Sequence, residues 1–444
     1  MLIELLREGA AARPDAPLVI ADAGTTSYAA TLHRAEALAR GLQQAGIERF
    51  GVRVDDTAAL LALLCASSAI GAEACVYPSA ADPAALAGRF AHDHVLTDAD
   101  LGALAIEGDP LQVAPATAPV LILTTGTTGE PKGARHDWGR LVGATRGRSP
   151  LPGARWLLAY NPNQFAGIQV FLHVLATQGT LVVGASNQPR DALRAMREHQ
   201  VTHVSATPTF WRFLTALIDE PAATDLDLQQ ITLGGEAVPA ATLADLQRLF
   251  PQARVSQIYA STEFGSTVSV RDSDNGLPLS ALERDESAPV QLRIVEGELQ
   301  ARSSVGMLGY YGQPELDDGW RPTGDLVEVR GDRVHFVGRT SEVINVGGVK
   351  VHPLPTEEII RSVDGVELAY VYGRKNAMTG QLVMADVVAR PGVDEEALED
   401  AIREACEVLP AAAHPRRIRF VEHLEVKENK IARRQPADTN EGAT

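Results

Sequence analysis

The sequence is poor in cysteine, and the few cysteines it has are too far apart for shared chemistry. Three are present, Cys65, Cys75 and Cys406, without C-x-x-C spacing. An odd and scattered set does not suit a disulfide framework or a zinc site. We therefore expect reduced thiols in a cytoplasmic protein, and a catalytic cysteine is disfavoured.

Basic residues and long apolar runs are also scarce. Lys and Arg total 40 against 57 Asp and Glu, which leaves a net charge of −17. A nucleic-acid or anionic-membrane surface needs basic patches, so we expect neither partner. The most apolar stretch, 58–70, is shorter than the roughly 20 residues that a membrane-spanning helix needs. The first residues carry Glu4 and no basic leader, which disfavours a signal peptide.

What the sequence does contain is a regular alternation of strand and helix patterns. At about 150 residues per domain, a chain of 444 residues should form two or three domains. Apolar positions at helical spacing predict a helix over 28–45 that ends before Gly46. Strands are predicted beside helical segments at 51–54, 120–124, 156–160, 180–183, 201–205 and 230–233. This alternation predicts an α/β fold with helix-covered, mainly parallel sheets.

The pattern changes near Pro289. A small β subdomain is predicted from short strands without intervening helices, at 290–295, 298–301, 325–330 and 333–337. After Arg339 a glycine-rich stretch leads into a compact α+β region with strands at 366–372 and 382–389. We therefore predict a large N-terminal domain over 1–340 and a small C-terminal domain over 341–444.

The sharpest local signal is the loop Leu-Thr-Thr-Gly-Thr-Thr-Gly-Glu-Pro-Lys-Gly at 123–133, directly after a predicted strand. It offers threonine hydroxyls, glycine amides and one cation, which are the groups that bind a polyphosphate. They belong to Thr124, Thr125, Gly126, Thr127, Thr128 and Lys132. The loop is not a Walker A motif, because Lys132 lies between Pro131 and Gly133 and not before a Ser or Thr. The alternative is a surface turn.

This loop resembles the signature T-S-G-T-T-G-x-P-K-G of the adenylate-forming superfamily, which contains acyl-CoA synthetases, peptide-synthetase adenylation domains and luciferases. Thr125 replaces the Ser, and Asn429 replaces a Gly in the last motif. Further motifs follow in the family's order over nearly the whole chain. They are Gly-Gly-Glu-Ala at 234–237, Gln-Ile-Tyr-Ala-Ser-Thr-Glu at 257–263, Thr-Gly-Asp at 323–325, Gly-Arg-Thr-Ser-Glu-Val-Ile-Asn-Val-Gly-Gly at 338–348 and Val-Lys-Glu-Asn-Lys-Ile-Ala-Arg at 426–433.

The motif side chains also suit a nucleotide chemically. Tyr259 offers a ring to stack on adenine, and Gln257 offers an amide for the edge of the base. Glu263 is a carboxylate for Mg²⁺, which prefers one or two carboxylates plus phosphate oxygens. Asp325 can accept both hydroxyls of a ribose, and the resemblance implies that Arg339 also reaches it. Each residue alone has a structural alternative, such as a turn aspartate or a core tyrosine.

The resemblance implies further roles. Gly235, Glu236 and Ala237 would bind ATP, and Thr262 would act beside Glu263. The acyl substrate would contact a second group, Asn163, Phe165, Gly234 and Ala260.

Lys430 is the residue that we expect to be catalytic. By resemblance it bridges the substrate carboxylate and the α-phosphate, where its charge would stabilise the negative charge that develops at phosphorus. The alternative is a solvated lysine among basic neighbours. The C-terminal domain would then rotate about Ser341, where the family usually has an Asp, to admit a thiol past Gly347 and Gly348.

These features predict a Mg²⁺-dependent ligase that forms an acyl-adenylate from ATP and a carboxylic acid. The acyl group would pass to CoA or to the phosphopantetheine thiol of a carrier protein acting in trans, and the sequence does not separate these acceptors. No acid lies in 160–167 to hold an α-ammonium group. In amino-acid-activating members of the family an Asp in this region holds that group, and an Asn such as Asn163 resembles the aryl-acid branch. The resemblance therefore implies an aromatic, hydroxybenzoate-like acid or a short-chain acid as substrate. A nucleotide-binding pseudoenzyme is the alternative from another class.

Overall fold

The computed structural model describes residues 1–109, 111, 115–124, 130–145, 147–218, 225–272, 274–427 and 430–431, with only the backbone at 426–427 and 430–431. The helices within these ranges are α1 Leu2–Ala12, α2 Tyr28–Gln44, α3 Thr57–Ile70, α4 Pro83–Phe90, α5 Asp98–Leu104, α6 Trp138–Gly143, α7 Phe165–Thr177, α8 Pro189–Glu198, α9 Pro208–Thr215, α10 Ala240–Leu249, α11 Pro353–Ser362 and α12 Glu395–Ala405.

The strands up to residue 270 alternate with these helices. They are β1 Pro17–Ala21, β2 Gly24–Ser27, β3 Arg49–Arg53, β4 Glu73–Val76, β5 His94–Thr97, β6 Pro119–Thr124, β7 Lys132–Asp137, β8 Arg155–Leu158, β9 Thr180–Val182, β10 His203–Ala206, β11 Gln230–Gly234, β12 Arg254–Ser261 and β13 Gly265–Val270. The predicted strands in this region are therefore present, with ends that differ by a few residues.

The later strands follow one another with few helices between them. They are β14 Leu277–Pro278, β15 Val290–Val295, β16 Glu298–Ser303, β17 Gly309–Tyr310, β18 Arg321–Arg330, β19 Arg333–Arg339, β20 Ile344–Val346, β21 Val349–Val351, β22 Val366–Asn376, β23 Gly380–Ala389, β24 Arg417–Phe420, β25 Val426–Lys427 and β26 Lys430–Ile431.

Two mainly parallel sheets form the bulk of the N-terminal part. The eight-stranded sheet has the order β13-β12-β11-β10-β8-β9-β1-β2, and the six-stranded sheet has the order β17-β7-β6-β4-β3-β5. In the larger sheet the pairs between β12 and β1 are parallel, and only the outermost pairs at its two ends are antiparallel. Parallel sheets of this kind are covered by helices, so the predicted α/β fold is confirmed.

Helix α3 explains the apolar stretch at 58–70. It is buried from Ala58 to Ala69 within the core shared by α1, α2 and α7. The Asp56 carboxylate caps its first turn by accepting hydrogen bonds from the amides of Ala58 and Ala59, and Gly71 ends it at a φ of +76°. Among the described helices, none is both long and apolar enough to cross a membrane.

The predicted small β subdomain is an antiparallel sheet of order β14-β19-β18-β16-β15. Strand β18 begins at Arg321, four residues before the predicted start at Asp325. The difference arises because the Thr-Gly-Asp motif forms a bulge inside the strand. Pro322 pairs with Gln300 and Leu326 pairs with Glu298, so residues 323–325 all face Leu299. Bulges of this kind redirect side chains, often next to active sites.

A separate C-terminal domain follows, with a sheet of order β21-β20-β23-β22 and β24 parallel to β23. Strands β22 and β23 form an antiparallel hairpin, and α11 and α12 lie before and after it in the chain. Its own apolar core extends from Ile344 to Ile418. The exact boundary between residues 340 and 341 remains a prediction.

The packing of α2 generates a stability prediction. The Leu38 side chain is 0% exposed within the core of the N-terminal part. Leu38→Ala should lower the free energy of unfolding by about 2–5 kcal/mol, because it removes buried methyl groups and leaves a cavity. Urea denaturation followed by tryptophan fluorescence would measure this loss. Leu151→Ala, at a side chain that is 46% exposed, should cost less than about 0.5 kcal/mol. Equal losses would contradict this account of the core.

Candidate active site

The carboxyl ends of β8, β10, β11 and β12 meet at one edge of the eight-stranded sheet, because these strands are parallel and adjacent. Ligands of open parallel sheets bind at such an edge. The Gly-Gly-Glu-Ala motif at 234–237 follows β11, and the motif at 257–263 runs through the end of β12. Tyr160 follows β8, and α9 begins directly after β10.

Asp325, which lies on β18, contacts one residue of β12 and one of β19. Its Oδ2 atom accepts a hydrogen bond of 2.7 Å from the Tyr259 hydroxyl, and its Oδ1 atom lies 2.9 Å from Nε of Arg339. Burial, reinforced by the Asp325 charge, raises the pKa of the Tyr259 hydroxyl above its usual range. The hydroxyl therefore stays a neutral donor, and Arg339 compensates the carboxylate charge. The structure brings together these three predicted nucleotide residues.

The ring of Tyr259 packs against Phe336 of β19, with 5.0 Å between ring centroids. The motifs did not identify Phe336. Its position on a predicted strand, three residues before Arg339, could have indicated that it lies near the site. Gln257 is buried, and its Nε2 atom donates to the Asp274 carbonyl at 2.8 Å. The side-chain amide is therefore already engaged with the backbone, and its contact with an adenine base stays a prediction.

A second cluster consists of Glu263, Tyr310 and Lys132. The Tyr310 hydroxyl donates to Oε1 of Glu263 at 2.8 Å, and Nζ of Lys132 lies 5.5 Å from the centre of the Tyr310 ring. The pairing of β17 with β7 positions Tyr310 here. Tyr310 was missed from the sequence, where the pair of tyrosines between Gly309 and Gly312 was the available signal.

The phosphate loop connects two paired strands. Thr124 ends β6, Lys132 begins β7, and these two residues are register partners in an antiparallel hairpin. The four remaining predicted loop residues, Thr125, Gly126, Thr127 and Thr128, lie outside the described residues. The described part of the loop is its base. This base lies beside the Glu263 cluster, because Lys132 belongs to both.

This donor set fits a magnesium–nucleotide complex. Among the described residues, no group of three or more His, Cys, Asp or Glu side chains is arranged to hold a metal. Glu263 is instead a single carboxylate bonded to Tyr310, whose ring also lies near the cation of Lys132. Mg²⁺ is usually held by one or two carboxylates together with substrate phosphates and water. Glu263 would therefore be its protein ligand, and Lys132 would offset phosphate charge.

One of the residues predicted to bind the acyl group, Gly234, contacts the side chain of Tyr160. The Tyr160 hydroxyl donates to the Gly234 carbonyl at 3.1 Å, so this buried side chain reaches from the end of β8 past β10 to the end of β11. A Cβ atom on Gly234 would lie 3.3 Å from the Ile258 carbonyl oxygen, closer than most side chains permit. Asn163 and Phe165 are buried, whereas Ala260 is half-buried.

Glu236 of the Gly-Gly-Glu-Ala motif contacts the start of α9. Its Oε2 atom accepts a hydrogen bond of 3.1 Å from the Thr209 amide. Gly235 is exposed, and Ala237 and Thr262 are half-buried.

The predicted C-terminal residues occupy two different places. Strand β26, which begins at Lys430, has Cα atoms within 8 Å of those of α9. Gly347 and Gly348 are exposed in the turn between β20 and β21, with φ values of +59° and +89°. A two-residue hairpin turn with two positive φ values favours glycine for backbone reasons alone. Their thiol-tunnel role therefore stays a prediction, as does the hinge role of Ser341, which lies exposed in a short 3₁₀ helix.

Comparison with known proteins identifies two family models. The model of the AMP-binding enzyme matches residues 92–311, and that of the AMP-binding enzyme C-terminal domain matches residues 356–430. The second match ends at Lys430. Together they include the phosphate loop and the motifs from 234 to 263.

Individual relatives agree with these models. The chain is 30% identical over 437 residues to a medium/long-chain-fatty-acid–[acyl-carrier-protein] ligase, FadD10, of Mycobacterium tuberculosis, which covers 88% of this chain and 78% of that one. It is 29% identical over 343 residues to the 3-[(3aS,4S,7aS)-7a-methyl-1,5-dioxo-octahydro-1H-inden-4-yl]propanoyl:CoA ligase of the same species, which covers 73% of this chain and 66% of that one.

A solved structure with the same fold is that of the anthranilate CoA ligase AuaEII in complex with anthranoyl-AMP. It superimposes with a TM-score of 0.83 at 18% identity, over 97% of this chain and 95% of that one. The fold, the family models and the relatives therefore agree that the chain belongs to the AMP-binding enzyme family, the adenylate-forming superfamily of acid–thiol ligases.

Proposed function

We propose that this chain joins a carboxylic acid to a thiol in two steps. In the first, a carboxylate oxygen attacks the α-phosphorus of ATP and pyrophosphate leaves, which gives the acyl-adenylate. In the second, the sulfur of CoA or of a carrier-protein phosphopantetheine attacks the acyl carbonyl. AMP leaves, and the thiol loses its proton. The observation that carries the proposal is that Cα atoms of β26, which begins at Lys430, lie within 8 Å of those of α9, the helix whose Thr209 amide binds Glu236.

The nucleotide would lie between the two clusters. Asp325 would accept hydrogen bonds from the ribose hydroxyls, since each of its oxygens has a second acceptor position besides its bond to Tyr259 or Arg339. Lys132 and Glu263 would face the phosphates. Bound Mg²⁺ would neutralise phosphate charge during pyrophosphate release. Lys430 would supply a positive charge at the developing pentavalent phosphorus, which is worth most where charge appears only in the transition state.

The substrate is proposed to be a compact acid without an α-ammonium group, either aromatic or short-chain. Tyr160 supports this proposal, because its hydroxyl is already bonded to Gly234 and its ring fills the space between the ends of β8 and β11. Residues 160–167 also contain no carboxylate to pair with an ammonium. Amide side chains lie there instead. That of Gln164 accepts a hydrogen bond from the Asn161 backbone amide, and that of Asn161 accepts one from Asn187. The two relatives named above differ in acceptor, so CoA and a carrier protein both remain candidates.

A substrate screen tests the proposed function directly. Pyrophosphate release should be measured over aromatic, short-chain, fatty and α-amino acids, first with ATP and then with GTP. We expect release with ATP and compact acids, and none above background with ordinary α-amino acids or with GTP. Adding CoA or a pantetheinylated carrier protein would then identify the acceptor. ATP-dependent activity that strictly requires an amino acid would contradict the proposed substrate class, and no release with any acid would favour a pseudoenzyme.

Glu263→Gln tests the metal assignment. The change keeps the size of the side chain and its hydrogen bond to Tyr310 but removes the charge, so adenylation should fall by at least about tenfold. The magnesium concentration for half-maximal rate should rise in parallel. Glu315→Gln, at an exposed residue, is the matched control and should leave both quantities unchanged. Normal turnover of the Glu263 variant at low magnesium would rule out Glu263 as the ligand.

Lys430→Ala tests the division between the two steps. Pyrophosphate formation should drop by a factor on the order of 10²–10³, the usual cost of one preorganised charge-stabilising group. Thioester formation from chemically prepared acyl-adenylate should stay nearly intact, because Lys430 is proposed to serve only the first step. Lys427→Ala, on the neighbouring strand β25, should retain both activities. A reversed result would identify Lys427 as the adenylation lysine.

A further inference from the structure

Helix α9 carries an apolar contact between the N-terminal part and the C-terminal domain. Phe213 packs against one cluster of C-terminal side chains. The cluster consists of Leu368, Tyr370, Tyr372, Val388, Val421 and Leu424. All but Val421 and Leu424 belong to the hairpin of β22 and β23. Arg212 is adjacent to Phe213 on the helix, and it makes a polar contact beside this apolar one.

Arg212 donates a hydrogen bond from Nη2 to the backbone carbonyl of Glu367, the second residue of β22. Burial lowers the pKa of Arg212 to about 10, and the charges of Arg361, Glu236, Glu367 and Arg390 act on it with opposing signs. The guanidinium remains charged at neutral pH. A buried charge is costly unless hydrogen bonds compensate it, and here a carbonyl of the C-terminal domain supplies one.

The amino-terminal end of α9 faces the site. Thr207 caps the helix by accepting a hydrogen bond from the Phe210 amide at 3.0 Å, and the Thr209 amide donates to Glu236. The Glu236 charge also acts on Arg212, one turn further along. Strand β26 lies alongside the same helix. One helix of eight residues therefore contacts the Gly-Gly-Glu-Ala motif, the C-terminal sheet and the strand that begins at Lys430.

We propose that Arg212 and Phe213 are positioning residues, which hold the C-terminal domain on α9 in the arrangement that serves adenylation. The proposal rests on the proposed function. Neither residue needs to touch the substrate. Their contacts determine where β22 lies, and β22 belongs to the same domain as β26. Losing them should therefore release the domain from α9 and lower the fraction of molecules that can catalyse the first step.

The test uses Arg212→Met and Phe213→Ala in the full-length chain. Each should lower pyrophosphate formation by about tenfold or more, as expected for a lost hydrogen bond of a charged group or a lost buried aromatic contact. Each should change thioester formation from prepared acyl-adenylate by less than about twofold, since that step does not need this arrangement. Arg212→Lys keeps the charge and one donor, so it should recover part of the first activity. Arg194→Met, at an exposed arginine of α8, is the matched control.

Limited proteolysis tests the proposal independently of activity. If the domain is released, limited proteolysis near Ser341 should be faster in both variants than in the wild type and the control, with little change in the thermal unfolding of the N-terminal part. Equal losses in both half-reactions, no loss in either, or unchanged proteolysis would overturn the positioning role. The failure of the proposed function is distinct, because the wild type itself would then release no pyrophosphate with any acid.

Discussion

A buried carboxylate, Asp325, is the constraint on which the arrangement of the site depends. Its charge is compensated by Tyr259 of the eight-stranded sheet and by Arg339 at the end of β19. Asp325 itself lies on a bulge in the small β sheet. Because a carboxylate removed from water must keep its partners, this single charge fixes the small sheet against the large one. Arg339 is also two residues from Ser341, where the sequence predicts that the C-terminal domain begins.

The two polar clusters differ in the chemical groups that they offer to a ligand. The group around Asp325 offers hydrogen-bond acceptors and an aromatic ring, which suit a nucleoside, whereas the group around Glu263 offers one negative and one positive charge, which suit a magnesium–phosphate unit. Near Tyr160 and Gly234, where the acyl group is proposed to bind, residues 160–167 contain no charged side chain. Such local charges would let a protein with a net charge of −17 bind a polyanion. Local charge at the site, and not the overall balance, determines what binds there.

Much of the fold could be read from local patterns. The alternation of strands and helices predicted the parallel sheets, and the strand at 290–295 coincides with β15. The sequence predicts a strand that begins at Asp325, but pairing with β16 extends β18 to Arg321, so the Thr-Gly-Asp motif lies in a bulge inside the strand. Gly347 and Gly348 illustrate a second difficulty. Their positive φ values satisfy a hairpin turn, so glycine at these positions is explained without any ligand. A residue can therefore match a family motif while the reason for its identity, backbone conformation or ligand binding, is not decided by the match.

The sequence by itself determined the family, the order of the motifs and the chemical types available at the site, because these depend on residue identity and short spacing. Only the tertiary structure decided which side chains share a hydrogen bond. Tyr259 and Asp325 are 66 residues apart, Tyr310 and Glu263 are 47 apart, and Arg212 and Glu367 are 155 apart. No local pattern encodes such pairs. They follow from strand order and from the packing of one domain on another, which depend on the burial of the whole core.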